Sequence, residues 1–189
     1  MRLVRRAFWA IRANLCPIPG PFRPPGFQSG AQFMDINCGC PIFEATRRGM
    51  GSAMLRKPRA LARMVAGIAA ESELPVTVKI RLGENEKSIN VETVVEYLER
   101  AGAAAVTIHG RTAVQRYKKA ADWGRVGDVA RATQLPVIGN GDILTHYEAV
   151  ARLRESGCTA VMAGRGALIK PWIFQEFKEV RRMRGGERG

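Results

Sequence analysis

Leu74-Pro75-Val76-Thr77-Val78-Lys79 and Leu135-Pro136-Val137-Ile138-Gly139-Asn140 are two versions of one design. In each, a proline opens a short apolar strand that ends on a polar side chain, so Lys79 and Asn140 fall in register. A second echo follows in the same chain order. Gly102, Ala105 and Val106 match Gly157, Ala160 and Val161, and His109 then matches Gly164. Repeated strand–helix units with polar or glycine residues at matching strand ends are what a (β/α) barrel produces. Two echoes in one order argue against a coincidence of loop vocabulary.

Outward from these repeats, strands and helices alternate from residue 33 onward. Phe33–Asn37 reads as a strand. Arg59–Glu71 reads as a helix with Leu61, Met64, Val65 and Ile68 on one face. Val91, Val94, Val95 and Leu98 define a second helix, closed by Gly102. Val126–Ala132 reads as a short helix, and Thr145 with Glu148 as the capping box of one that ends near Gly157. Val76–Arg81, Ala105–His109, Val137–Gly139 and Ala160–Ala163 are the remaining strands, and Pro171 suits the first turn of a last helix. The fold class is therefore α/β. With about five strands where a closed barrel has eight and typically ~250 residues, it is a partial TIM (β/α)8 barrel, roughly strands 4–8 with their helices.

The chain has 189 residues and a net charge of +13, which predicts an anionic partner such as nucleic acid or a nucleotide. Residues 1–32 hold five arginines, five prolines and no acid. This composition suits a disordered basic arm or an organellar transit peptide, and the near absence of serine favours the arm. The expected division is a basic arm over 1–32, a barrel domain over 33–175, and a basic helix end and tail over 176–189. No apolar run reaches the ~20 residues of a membrane span. Cys16, Cys38, Cys40 and Cys158 lack paired metal-ligand spacing, which argues against a structural zinc site.

Chemistry-bearing residues gather at the strand ends. Asn37-Cys38-Gly39-Cys40-Pro41 turns sharply after a strand and presents Cys40 at its mouth, although a buried inert thiol is the commoner fate of a core cysteine. Gly139-Asn140-Gly141-Asp142 and Gly164-Arg165-Gly166 are glycine loops in adjacent units that suit an anion. Each alone would pass for a plain turn. Lys79 is costly to bury in an apolar strand unless a ligand anion or carbonyl meets it, or unless it lies at an edge facing water. His109 can donate to a ligand or serve structure alone, and Arg111 can meet an acidic substrate. Gln115-Arg116-Tyr117-Lys118-Lys119 mixes an aromatic with cations, which suits an RNA backbone and an unstacked base or simply a solvated loop. Arg47-Arg48 and Arg56-Lys57 extend the basic surface near Cys40.

Together these residues closely resemble the tRNA-dihydrouridine synthases. The resemblance runs from Phe33 to about Lys178. It rests on Met34–Pro41, Val76–Arg81, Ile108–Thr112, Gly139–Ile143 and Gly164–Leu168, in the family's order. Arg116–Lys119 with Ala121-Asp122-Trp123, and Ile169–Phe174, are similar to the eukaryotic branch that modifies uridine 47. The resemblance implies an FMN-binding barrel, NADPH as reductant and tRNA as substrate. It implies that reduced FMN gives hydride to C6 of a flipped uracil and that a cysteine, matched by Cys40, protonates C5. It assigns Lys79, His109, Asn140, Gly141, Asp142, Gly164 and Arg165 to the flavin, and Asn37 to the uracil. Arg111, Tyr117 and Lys118 are the further substrate candidates.

No counterpart of the family's first strands precedes residue 33, none of its helical domain follows Phe177, and no zinc-finger pattern appears, so a chain truncated at both ends is expected. The expected protein is a cytoplasmic enzyme, without metal or membrane and monomeric when its barrel is complete. Two alternatives stand beside it: a phosphate-binding aldolase- or isomerase-type barrel, and a non-catalytic RNA-binding remnant of the family.

Overall fold

The computed structural model describes residues 12–13 and 31–185. The strands are β1 (Arg12–Ala13), β2 (Met34–Asn37), β3 (Val76–Arg81), β4 (Ala105–His109), β5 (Val137–Asn140) and β6 (Ala160–Met162). They form one parallel sheet in the order of the chain. Helices α1 (Phe43–Thr46), α2 (Pro58–Glu71), α3 (Val91–Arg100), α4 (Trp123–Ala132), α5 (His146–Ser156), α6 (Arg165–Ile169) and α7 (Ile173–Gly185) alternate with them. Parallel strands need such crossovers, and a sheet laid down in chain order is part of a (β/α) barrel.

Most of the expectation for residues 1–32 lies outside the described residues. Within it, Arg12 and Ala13 pair with Asp35 and Ile36 as a two-residue strand. An extended arginine–alanine pair needs only backbone hydrogen bonds to join a sheet edge, a choice that composition does not reveal. Helix α7 runs unbroken across the expected boundary at residues 175 and 176.

Strand register sorts the side chains into two faces, because successive residues point to opposite sides. Ile36, Val78, Val106 and Val137 share one line, and Ile80, Ile108 and Gly139 the next. The six aliphatic residues of these lines join Leu61, Val65, Val94, Leu98 and Val126 of the helices in one apolar core. The opposite face carries Asp35, Asn37, Thr77, Lys79, Arg81, Thr107, His109 and Asn140. The sheet is thus apolar where helices cover it and polar where a barrel would have its interior.

Local signals set most element ends. The Thr145 hydroxyl accepts from the Glu148 N–H and the Glu148 carboxylate accepts from the Thr145 N–H, and Gly157 closes α5 at φ 69°. Helix α4 starts at Trp123, three residues before the apolar pattern begins at Val126, because Asp122 caps it by accepting from the Arg125 N–H. Pro171 lies just ahead of α7 rather than in its first turn.

The Trp123 ring lies against the backbone of Gly139, where an added Cβ would stand 2.3 Å from a ring carbon. Gly139→Ala should therefore cost about 1–3 kcal/mol of stability, read as a lower urea midpoint at constant slope. An unchanged midpoint would show that the ring is not seated on this strand.

Candidate active site

The strand ends open into a cleft of about 800 Å³. Its floor is the Lys79–Asn140 pair, in which Lys79 Nζ donates to Asn140 Oδ1 at 2.9 Å. Asn140 Nδ2 in turn donates to the Met162 carbonyl at 2.8 Å, which fixes the amide's orientation. The residues in register in the two sequence repeats therefore meet over the sheet. Asn140 reaches Lys79 across the intervening strand β4.

The two neighbouring thiols have opposite fates. Cys38 continues the helix-covered face of β2, fully buried, with its Sγ 3.7 Å from Met54 Sδ. Burial, helped by the charge of Asp35, pushes the Cys38 thiol up to about 12, so it stays an inert thiol. Gly39 then turns the chain, and Cys40 lines the cleft half-buried. Three contacts hold that turn. Arg81 Nε donates to the Gly39 carbonyl at 2.8 Å, the Ser52 N–H donates to the Cys40 carbonyl at 2.9 Å, and the Gly39 N–H donates to Asn37 Oδ1 at 3.2 Å. The last contact occupies the Asn37 oxygen and leaves its Nδ2 group without a partner among the described residues. Gly51 is required beside this turn, since a Cβ there would lie 2.4 Å from the Cys40 carbonyl oxygen.

On the opposite wall, Arg111 is buried and all three of its nitrogens are engaged. Nη2 lies 2.6 Å from both oxygens of Asp142, Nη1 lies 3.2 Å from His109 Nε2, and Nε donates to the Lys119 carbonyl. Burial alone would raise the Asp142 carboxyl. The Arg111 guanidinium, the Ala121 N–H and Arg165 outweigh it and hold the carboxyl below its ordinary value. His109 goes the other way. Burial, then the Arg81, Lys79 and Arg111 cations, push it down to about 3. The ring is neutral, and because a guanidinium only donates, Nε2 accepts and Nδ1 carries the proton. Arg165 donates to Asp142 at 3.1 Å and stacks over Tyr117 at 4.5 Å from the ring centre.

Cys40, Lys79, His109, Asn140, Gly141, Asp142, Gly164, Arg165, Asn37, Arg111 and Tyr117, the residues singled out in the sequence, thus line one cleft. Lys118 is exposed on the Tyr117 loop and does not line it. Arg116 of the same loop lines it too, and so does Arg81, which had been given no role of its own. For Arg81 a signal existed: it stands two residues after Lys79 on the same strand, hence on the same face. Five cations against Glu44 and Asp142 leave the cleft positive, and the half-buried thiol faces a space large enough for a flat anionic ligand.

A family model described as dihydrouridine synthase (Dus) matches residues 26–187. The chain is 42% identical to a probable tRNA-dihydrouridine synthase 1 of Synechocystis over 149 residues, 79% of this chain and 42% of that protein. It is 41% identical to a tRNA-dihydrouridine(47) synthase of Candida albicans over 162 residues, 76% of this chain and 26% of that protein. It is also 41% identical to a tRNA-dihydrouridine(47) synthase-like protein of Homo sapiens over 150 residues, 79% of this chain and 23% of that protein. The chain therefore spans between 23% and 42% of the length of these relatives.

The neutral His109 gives the fold an acid-side pH dependence. Unfolded, an imidazole takes a proton below about pH 6.5, whereas the native ring resists protonation down to about 3. The stability contributed is complete above the unfolded value and is lost as pH falls towards the native one. Between about pH 7 and about pH 5, His109→Gln should lose less urea stability than the wild type. Equal losses would mean that the native ring titrates as in water.

Proposed function

The chain belongs to the dihydrouridine synthase family, and from this we propose that it carries the acid-bearing part of an FMN-dependent tRNA-dihydrouridine synthase reduced by NADPH. The observation that carries the proposal is the placement of Cys40, Asn37 and the Lys79–Asn140 pair around one cationic cleft. The donor set fits a flavin mononucleotide. Lys79 on the cleft floor suits a carbonyl edge or N1 of the ring, and the proton on His109 Nδ1 suits a carbonyl or phosphate oxygen. The Gly141-Asp142 and Gly164-Arg165 turns suit the phosphate, with Asp142 holding Arg111 and Arg165 in place. Pro41, Ile42, Leu144 and Ala163 add apolar wall.

When bound and reduced, the flavin supplies hydride to C6 of a uracil. This chain's residues supply the rest. The partner-free Nδ2 of Asn37 donates to a uracil carbonyl, which polarises the C5=C6 bond. Hydride at C6 leaves negative charge spread over C5 and O4. The Cys40 Sγ–H bond then breaks, its proton joins C5, and the resulting thiolate is reprotonated from water. An ordinary thiol is mostly protonated near neutral pH and so can fill this role. Tyr117, stacked by Arg165, and Arg116 and Lys118 beside it suit the flipped base and its flanking phosphates. The proposed steps call on no metal ion, and a tRNA substrate suits the cytoplasm and equally the nucleus or an organelle. No helix of the described residues is long and apolar enough to cross a membrane.

Purified chain mixed with FMN should retain visible flavin absorbance at near-equal stoichiometry, and a chain that takes up none overturns the proposal. Cys40→Ala should keep the flavin while turnover on unmodified tRNA falls by roughly 10²–10⁴-fold, the usual worth of a positioned acid. Undiminished turnover would remove Cys40 as the proton donor.

A further inference from the structure

The segment from α1 through α2 carries Arg47, Arg48, Arg56, Lys57, Arg59 and Arg63, all exposed. Arg56 is paired with Glu84, and Arg59 donates to the Tyr97 hydroxyl at 3.0 Å. Arg47, Arg48, Lys57 and Arg63 have no carboxylate partner among the described residues. On α3, α4 and α5 the pairing is denser: Arg100, Arg125, Arg131 and Arg152 are each matched to a carboxylate, and Arg154 stands unmatched among the described residues. Cations left unneutralised along one continuous segment raise the local potential instead of lacing the surface together.

The position of this segment gives it a direction. Phe43 and Glu44 of α1 line the cleft, and the Cys40 carbonyl accepts from the Ser52 N–H in the turn that follows α1. From the cleft rim the chain passes Arg47 and Arg48 and enters α2 at Pro58. There a shallow groove of about 490 Å³ between α2 and α3 is lined by Lys57, Arg59 and Arg63 together with Pro58, Ala60 and Tyr97. Unpaired cations that continue from the rim of the cleft suit the phosphate chain of a nucleic acid whose base enters that cleft.

We infer that Arg47, Arg48, Lys57 and Arg63 form a second RNA-backbone track, leading from the cleft rim into the α2–α3 groove and holding the phosphates of the same tRNA whose uridine enters the cleft. The inference rests on the proposed tRNA substrate. Each phosphate neutralised releases counterions, so the track contributes affinity without reading sequence.

The test is binding of unmodified tRNA across a salt series, with the full chain and a variant carrying Arg47→Ser, Arg48→Ser, Lys57→Ser and Arg63→Ser. Four lost contacts should flatten the log–log salt slope by roughly 3 and weaken binding at least ~10-fold near physiological salt. FMN uptake and the urea midpoint should stay at wild-type values, since all four side chains are exposed. A charge-matched control, Arg100→Ser, Arg131→Ser, Arg154→Ser and Lys178→Ser, should change the slope far less. Equal effects of the two variants would reduce the track to net charge and overturn it, as would a first variant that binds tRNA like the wild type. If that variant loses only binding to phosphatidylserine vesicles, the surface is a membrane contact and the RNA track is wrong. A wild-type chain that binds no tRNA overturns the proposed substrate as well, which separates that failure from failure of the track alone.

Discussion

The buried guanidinium of Arg81 organises the upper face of this sheet. Its Nε donates to Gly39, and its Nη1 to Thr112 and, at 3.5 Å, to Arg116. Burial lowers its pKa, but an arginine has ample room to remain charged. A charge taken out of water is tolerated only while its donors are satisfied. Here the acceptors are backbone carbonyls of two different loops. The turn that presents Cys40 and the loop that carries Tyr117 are therefore bound to one cation, and neither can move away without leaving that cation under-solvated.

A second constraint follows from the cations that crowd the same face. Burial, then Arg81, Lys79 and Arg111, keeps His109 neutral, while Arg111 and Arg165 keep Asp142 ionised. These are one electrostatic statement, since the carboxylate offsets part of the positive charge and the imidazole declines to add to it. The cleft stays cationic in sum. Among the described residues, positive charge elsewhere on the surface is partly tied down in ion pairs on the outer helices and partly unpaired, with Arg47, Arg48, Lys57 and Arg63 unpaired along one segment.

Much of the fold was legible in the residues themselves. The apolar stripes of α2 and α3, the capping box of α5 and the prolines that open β3 and β5 are local signals, and the elements appear where those signals place them. The register of Lys79 with Asn140 was legible too, because repeats preserve the layer of a strand end. Arg12–Ala13 was hidden, since pairing at a sheet edge asks almost nothing of side chains. The early start of α4 was hidden as well, because Asp122 caps a helix whose first turn has no apolar period.

By itself the sequence determined the alternation of elements, the family and the gathering of Cys40, Lys79, His109 and Asn140 at strand ends, since each depends on spacing along one chain. Only the tertiary structure decided which atoms of those residues remain available. It sealed Cys38 among helices and left Cys40 in the cleft, two residues away. It also joined Arg111 to Asp142 and His109, contacts that fix where in the cleft its guanidinium stands. The physical reason is that a hydrogen bond or a degree of burial belongs to a pair of residues brought together by folding. The distance between Arg81 and Gly39, or between Arg111 and Asp142, is written in no local stretch of either.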